Sequence, residues 1–304
     1  MMNNTNFFIC KANQSQRDYV LQRVSIKDEQ ERENALIYVA VDETEKIIGR
    51  IVVKPQDVPA PIMGKYWYIY DLFVHPEFRR KGIATALVAK IKEQAALCDI
   101  IYLHGSANAS LEASMFWLNQ GFSMNAYGKK QDDTSKPLFY GNYFHFFSYC
   151  IRRKALIGDS RYNRTRTISK DEISSFINQS VPDEKRKTYL LSKAEDLFGF
   201  AIGEEDKMQG VILAFADNMY APLDGTQWRT FLYVDPQFRH QGIGRALVLR
   251  LYQYAQEKDV IQLNNSDTTE DNIGFWYELG FDIFFWAVNP QRGKRCTTAM
   301  LRVK

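Results

Sequence analysis

Apolar residues recur every fourth position at Ile83, Leu87, Ile91 and Ala95, and again at Ile243, Leu247, Leu251 and Ala255, a spacing that gathers each set on one helical face. Two amphipathic helices with buried stripes are predicted. Upstream of the first, residues 36–41, 47–53 and 66–74 are β-branched, aromatic and aliphatic runs separated by turn-rich segments such as KPQDVPAPIMGK, and they read as strands. A strand is also expected at 7–12 and a polar helical stretch from 15 to about 34. After the first striped helix follow a short strand at 99–103, a helix closing at Gly121 and an aromatic strand at 143–151. The second half opens with Ser169-Lys170-Asp171-Glu172, which resembles a capping box, before a short helix at 172–178. Strands at 197–202 and 209–216, the second striped helix, a strand at 259–263, a helix ending at Gly280 and closing runs at 282–288 and 297–303 complete it.

The repetition is literal as well as periodic. FVHPEFRRKGIATALV at 73–88 returns as YVDPQFRHQGIGRALV at 233–248, and FWLNQGF at 116–122 returns as FWYELGF at 275–281. The chain is therefore two copies of one domain, in keeping with the two-domain expectation for 304 residues. Strands interleaved with helices make each copy an α/β fold around a mixed sheet. The polar run at 152–166 lacks apolar periodicity, so the junction is expected near Gly158, with domains at 1–157 and 158–304.

Composition narrows the function. With 45% hydrophobic residues, 25% charged residues and a formal charge of +3, the chain is a globular protein without a broad nucleic-acid-binding surface. Tyr66, Trp67, Tyr68 and Tyr70 have only Lys65 beside them, which argues against a stacking platform for bases. Cys10, Cys98, Cys150 and Cys296 match no metal or redox spacing, and no metal is expected. The N-terminal stretch lacks a basic region followed by a long apolar run, and no segment reaches the roughly 18 apolar residues of a membrane span. A cytoplasmic protein with no membrane partner is expected.

The repeated loop carries the chemistry. Pro76 ends a strand, and Arg79-Arg80-Lys81-Gly82-Ile83-Ala84 leads directly into the striped helix. A glycine there lets backbone approach a ligand, and the free N–H groups of a first helical turn suit an anion such as a diphosphate. The second copy offers Arg239-His240-Gln241-Gly242-Ile243-Gly244, with one fewer fixed charge. Asp71, an acid inside the aromatic strand YWYIYDLFV, is costly to bury without purpose or partner; the aligned residue of the second copy is Phe231.

On these residues the chain resembles the GNAT superfamily of acyl-CoA-dependent N-acyltransferases. Its pyrophosphate loop has Arg or Gln, two variable residues, Gly, one variable residue, then Gly or Ala, matched by Arg79, Gly82 and Ala84 and by Arg239, Gly242 and Gly244. The resemblance implies two tandem domains, each with a mostly antiparallel sheet flanked by helices. It also implies acetyl-CoA as co-substrate, with pantetheine inserted where the strand before the loop splays from the next. The pantetheine would bond to backbone near Phe73 and Val74, or Tyr233 and Val234. Asp71 stands where the family places a general base, with His104 as the reserve. Trp117 and Trp276 occupy positions where many members have a tyrosine that can act as general acid, and they either border the cofactor or are core aromatics. The acid's role is then vacant or falls to a residue such as Tyr127 or Tyr277. The expected activity is transfer of an acetyl group to an amine of a small molecule or peptide by direct attack in a ternary complex, by a monomer or homodimer. The alternative is a non-catalytic acyl-CoA sensor or scaffold with one or both copies degenerate.

Overall fold

The computed structural model describes residues 6–57, 65–108, 110–129, 143–150, 156, 163–204, 207–216, 227–269, 271–283, 287–288 and 295–302. The chain divides into two compact units, Met1–Arg152 and Arg153–Lys304. The expected junction at Gly158 lies outside the described residues. Each sheet is built from strands of its own unit.

In the first unit, β1 (Phe8–Lys11), β2 (Leu36–Val41), β3 (Ile47–Asp57), β4 (Lys65–Val74), β5 (Tyr102–Asn108), β6 (Ser123–Lys129) and β7 (Tyr143–Cys150) form one sheet in the order β1-β2-β3-β4-β5-β7-β6. Among the described residues β4 and β5 are its one parallel pair. The striped helix α3 (Ile83–Leu97) packs on β2, β3 and β4. Its four stripe residues are at most 1% exposed, so each contributes its burial almost in full, about 1.5–3 kcal/mol for a large aliphatic side chain.

The opposite face is covered by two helices where the sequence suggests one. Helix α1 (Gln14–Leu21) opens with a capping box between Asn13 and Gln16, and α2 (Glu29–Asn34) is capped by Asp28. Between them Val24 and Ile26 are buried in a cluster with Val20, Ile37, Val39 and Val52, and burying these side chains breaks the helical run. Arg17 of α1 then closes the far end of α2, its guanidinium donating to the carbonyl oxygens of Ala35 at 2.6 Å, Arg32 at 2.5 Å and Glu33 at 2.8 Å. These are carbonyls that a helix end leaves unpaired.

The second unit repeats the plan. The strands β8 (Arg166–Thr167), β9 (Phe198–Glu204), β10 (Lys207–Ala216), β11 (Gln227–Val234), β12 (Gln262–Thr269), β13 (Asp282–Ile283) and β15 (Arg295–Arg302) form its sheet, with β14 (Ala287–Val288) paired to β15. Helix α4 (Leu111–Asn119) belongs to the first unit; α5 (Lys170–Ser180), α6 (Glu184–Leu191), α7 (Ile243–Glu257) and α8 (Ile273–Glu278) belong to the second. The capping box expected at Ser169 and Glu172 is present. The Ser169 backbone N–H and the Arg166 guanidinium hold the Glu172 carboxyl below the usual carboxylate range. Lys170 repeats the part of Arg17, donating to the carbonyl oxygens of Ala194 at 3.0 Å, Leu197 at 2.6 Å and Glu195. No helix among the described residues is long and apolar enough to cross a membrane.

Arg17→Ala should strip three carbonyls of a charged donor and lower the stability of the first unit by about 1–3 kcal/mol. Urea denaturation of the two proteins side by side checks this, and an unchanged midpoint would show that water replaces the guanidinium at no cost.

Candidate active site

The parallel pairing of β4 and β5 runs from Tyr66 opposite Tyr102 to Ile69 opposite Gly105 and then stops. β4 continues to Val74 beside β3, and β5 continues to Asn108 beside β7, so the two strands part without either losing its other neighbour. A cleft of about 620 Å³ occupies the opening. Ile69 stands at its crotch, Phe73 and Val74 along one wall, and Ser106 and Ala107 along the other. The loop contributes Arg79, Arg80 and Gly82, the first turn of α3 Ile83 and Ala84, and α4 Phe116 and Trp117.

The loop is held before any ligand arrives. After a 3-10 turn at Pro76–Phe78, Arg79 is extended, Arg80 takes φ 60° and Gly82 takes φ 81° as the N-cap of α3. A positive φ is unfavourable for an arginine and natural for a glycine. Arg79 Nε donates to the Val74 carbonyl at 3.2 Å, tying the loop back to the end of β4. No side chain caps α3, which leaves the first-turn N–H groups directed at the cleft for an anion. A Cβ on Gly82 would meet nothing within 4 Å, so the space above it is open to a ligand. Lys81 is exposed, with its ammonium 5.1 Å from the Phe78 ring, and it does not line the cleft.

Gly49 of β3 sets how closely the helix lies. A Cβ there would come within 2.9 Å of Ile83 Cγ2 and 3.3 Å of the Phe73 carbonyl. Gly210 does the same in the second unit, where a Cβ would lie 2.7 Å from Ile243 Cγ2. The sequence pattern did not single out either glycine, although their matched places two strands before each loop are a signal that could have.

Asp71 reaches the cleft through a β-bulge. Val52 pairs with Asp71 but Val53 pairs with Ile69, which leaves Tyr70 as an extra residue in β4. The extra residue shifts the alternation of faces. Tyr70 packs against the α1 cluster and Trp67 and Ile69 are buried, while Asp71 contacts Arg50, which stands two residues from Val52 of that same cluster. Arg50 Nε donates to Asp71 Oδ2 at 2.7 Å. The guanidinium also lies 4.5 Å from the Phe73 ring. Nearby, Tyr68 Oη and Ser106 Oγ are 3.0 Å apart, joining β4 to β5 by their hydroxyls.

His104, the reserve base, is placed otherwise. Its ring is stacked on Tyr102 at 5.6 Å, meets the edge of Tyr66 at 5.1 Å, and does not line the cleft. Burial pushes its imidazole down to about 3, so it stays neutral. Trp117 lines the cleft but is 5% exposed and packs edge-on against Phe116 and Phe122. It is a core aromatic and a cleft wall at once. The Tyr127 side chain lies outside the described residues.

The second unit keeps the loop and changes what surrounds it. Arg239 Nε donates to the Val234 carbonyl at 3.1 Å, His240 takes φ 61° and Gly242 takes φ 82°. Gln241 is exposed beside them. β11 and β12 part after Arg229 and Asn264, but the next residues are bridged by side chains: Thr230 Oγ1 donates to the Asn264 carbonyl at 3.1 Å and Asn265 Nδ2 to the Thr230 carbonyl at 3.4 Å. Phe231 and Tyr233 pack on the apolar cluster formed by α5 and α6, Tyr233 edge-on against Phe176 at 5.4 Å. Phe275 covers the helix start, its ring carbon 3.1 Å from where a Cβ on Gly244 would stand. Trp276 is 3% exposed, and its Nε1 has no hydrogen-bond partner among the described residues. Tyr277 is half-buried on α8.

The sequence profile of the Acetyltransferase (GNAT) family matches residues 6–122 and 165–281. The chain belongs to the GNAT acetyltransferase family. Solved structures similar to it include a GNAT-family acetyltransferase from Staphylococcus aureus Mu50, at 16% identity over 48% of this chain and 100% of that one, with a TM-score of 0.34. Arabidopsis thaliana NAA60 in complex with acetyl-CoA matches at 15% identity over 48% and 99%, with a TM-score of 0.38. An IAA acetyltransferase from Bacillus cereus gives the same 15%, 48%, 99% and 0.38. No match is found among curated proteins.

In this GNAT chain the buried His104 makes a measurable demand on pH. Its folded value is depressed from 6.5 to about 3, so between those values the unfolded state binds a proton that the folded state refuses. Stability is therefore full above 6.5 and falls as pH drops toward 3. A His104→Gln variant should show a flatter dependence of stability on pH over this window, read as the difference between the two denaturation series. Parallel curves would place the imidazole in water.

Proposed function

We propose that the chain is an N-acetyltransferase moving the acetyl group of acetyl-CoA to a primary amine of a small molecule or peptide, and that the first unit performs the transfer. The observation that carries this reading is one cleft containing a diphosphate-suited loop and, beside the parted strands, the Asp71 carboxylate. Past Ile69 the backbone of β4 has lost β5 as a partner, and pantetheine amides can take those bonds near Phe73 and Val74. The first-turn N–H groups at Gly82 to Ala84, with Arg79 and Arg80 on the same cleft wall, suit the diphosphate.

An alkylamine arrives protonated, and freeing its lone pair at neutral pH costs roughly 4 kcal/mol. Asp71 accepts that proton directly or through a water, and the neutral nitrogen attacks the thioester carbon in a ternary complex. The C–N bond forms and the C–S bond breaks. The CoA thiolate takes a proton, and the sum is an acetamide, a thiol and one proton released. The Ser106 hydroxyl on the cleft wall, bonded to that of Tyr68, stands among the donors there and can take the role that Trp117 cannot fill.

The contrast with the second unit supports the choice of the first. At the position of Asp71 the second copy has Phe231, committed to an apolar cluster, and Phe275 lies over its helix start. Its loop, from Arg239 to Gly244, serves in binding or in structure without a carboxylate for proton transfer.

Thiol release from acetyl-CoA, measured with an alkylamine, a diamine, an amino-acid amide and a short peptide, tests the activity. Asp71→Asn should keep acetyl-CoA affinity while turnover falls roughly 10²- to 10⁴-fold, the range for losing a general base. Gly82→Val should weaken acetyl-CoA binding in calorimetry, because its φ disfavours any other residue and its side chain would enter the open space. If Gly242→Val abolishes turnover and Gly82→Val does not, the chemistry belongs to the second unit. Binding without any amine-dependent thiol release would instead mark a sensor.

A further inference from the structure

We infer that Arg50 is a positioning residue for the acetyl transfer, acting only through Asp71; this rests on the reading of Asp71 as the base. The Tyr70 bulge brings Asp71 into line with Val52, diagonally across from Arg50, which itself pairs with Phe73. The bond from Arg50 Nε to Asp71 Oδ2 is 2.7 Å long, and the arginine side chain is 12% exposed. Arg50 does not line the cleft, whereas Asp71 and Phe73 do. One carboxylate oxygen is thus fixed from behind, and Oδ1, which bonds to no described residue, remains for the amine or its water.

The internal duplicate supports the coupling. Phe73 pairs with Arg50 as Tyr233, its counterpart, pairs with Val211; Asp71 pairs with Val52 as Phe231 pairs with Leu213. The ion pair of one unit is therefore an apolar pair, Val211 and Phe231, in the other, and both belong to or pack on one hydrophobic cluster. Both charges are replaced together. A lone buried charge on either strand would be costly, which makes the two positions one unit of change. Arg50 also has planar neighbours on two sides, the carboxylate and the Phe73 ring, and the ring helps hold the guanidinium that fixes Asp71.

The experiment is a double-mutant cycle on Arg50→Met and Asp71→Asn, read in kcat and in the KM for acetyl-CoA, with the amine that turns over best in the panel above. Arg50→Met alone should lower kcat by about 10²-fold, as expected for a misplaced reacting group, and leave that KM unchanged. In the Asp71→Asn background the same substitution should cost nothing further. Arg50→Lys, which restores the charge, should recover part of the loss and guards against a variant that fails to fold. Equal losses from Arg50→Met in both backgrounds, or a raised KM with kcat unchanged, would overturn the inference while leaving Asp71 as base. Full activity of Asp71→Asn would overturn the base itself and this inference with it.

Discussion

The site depends on two parallel strands that stop pairing before they end. A strand edge turned inward would leave donors and acceptors unmet, and each such group costs on the order of 1–3 kcal/mol when buried. The first unit tolerates the opening because β4 has β3 on its other side and β5 has β7. Only the two facing edges are left unpaired, and they are the edges that a ligand with its own amides can complete. The parting therefore needs the whole order of the sheet. A smaller sheet ending at β5 would have closed on itself or exposed the edge to water.

The position of Asp71 follows from the same strands. Alternation along β4 would send residues 66, 68 and 70 to one face and 71 to the other; the bulge at Tyr70 cancels one step and keeps the acid with the tyrosines. In the second unit β11 pairs with β10 without a register shift, and it is one residue shorter between its tryptophan and its loop. The two copies thus share their glycine loops and differ in the phase of the strand that leads to them.

Much of this was legible in the chain. The striped helices, the glycine loops and the helix ends at Gly121 and Gly280 rest on local rules, periodicity and positive φ, and all stand where the sequence puts them. The bulge was not legible, because YWYIYDLFV contains neither glycine nor proline to mark it. Nor was the Arg50 and Asp71 pair, whose members are 21 residues apart on neighbouring strands and meet only once the register is known. Helix α6 went unseen between a proline and a polar run, since EKRKTYLL has good helix formers but no apolar stripe, and only Leu190 of its residues is fully buried. The split of the α1 region was missed for a related reason: Val24 and Ile26 read as part of a polar helix until the sheet they cover is in place.

The tie from Arg79 to the end of β4, repeated by Arg239, bears on kinetics. A loop already fixed by its own guanidinium would lose little freedom on binding a diphosphate, so capture there would need no slow closing step. On the proposed function the encounter would be governed by diffusion and by the field of the exposed Arg80 and Lys81. Its rate should fall as salt screens those charges over about 10 Å at 0.1 M ionic strength, while the rate of escape follows the bonds made deeper in the cleft.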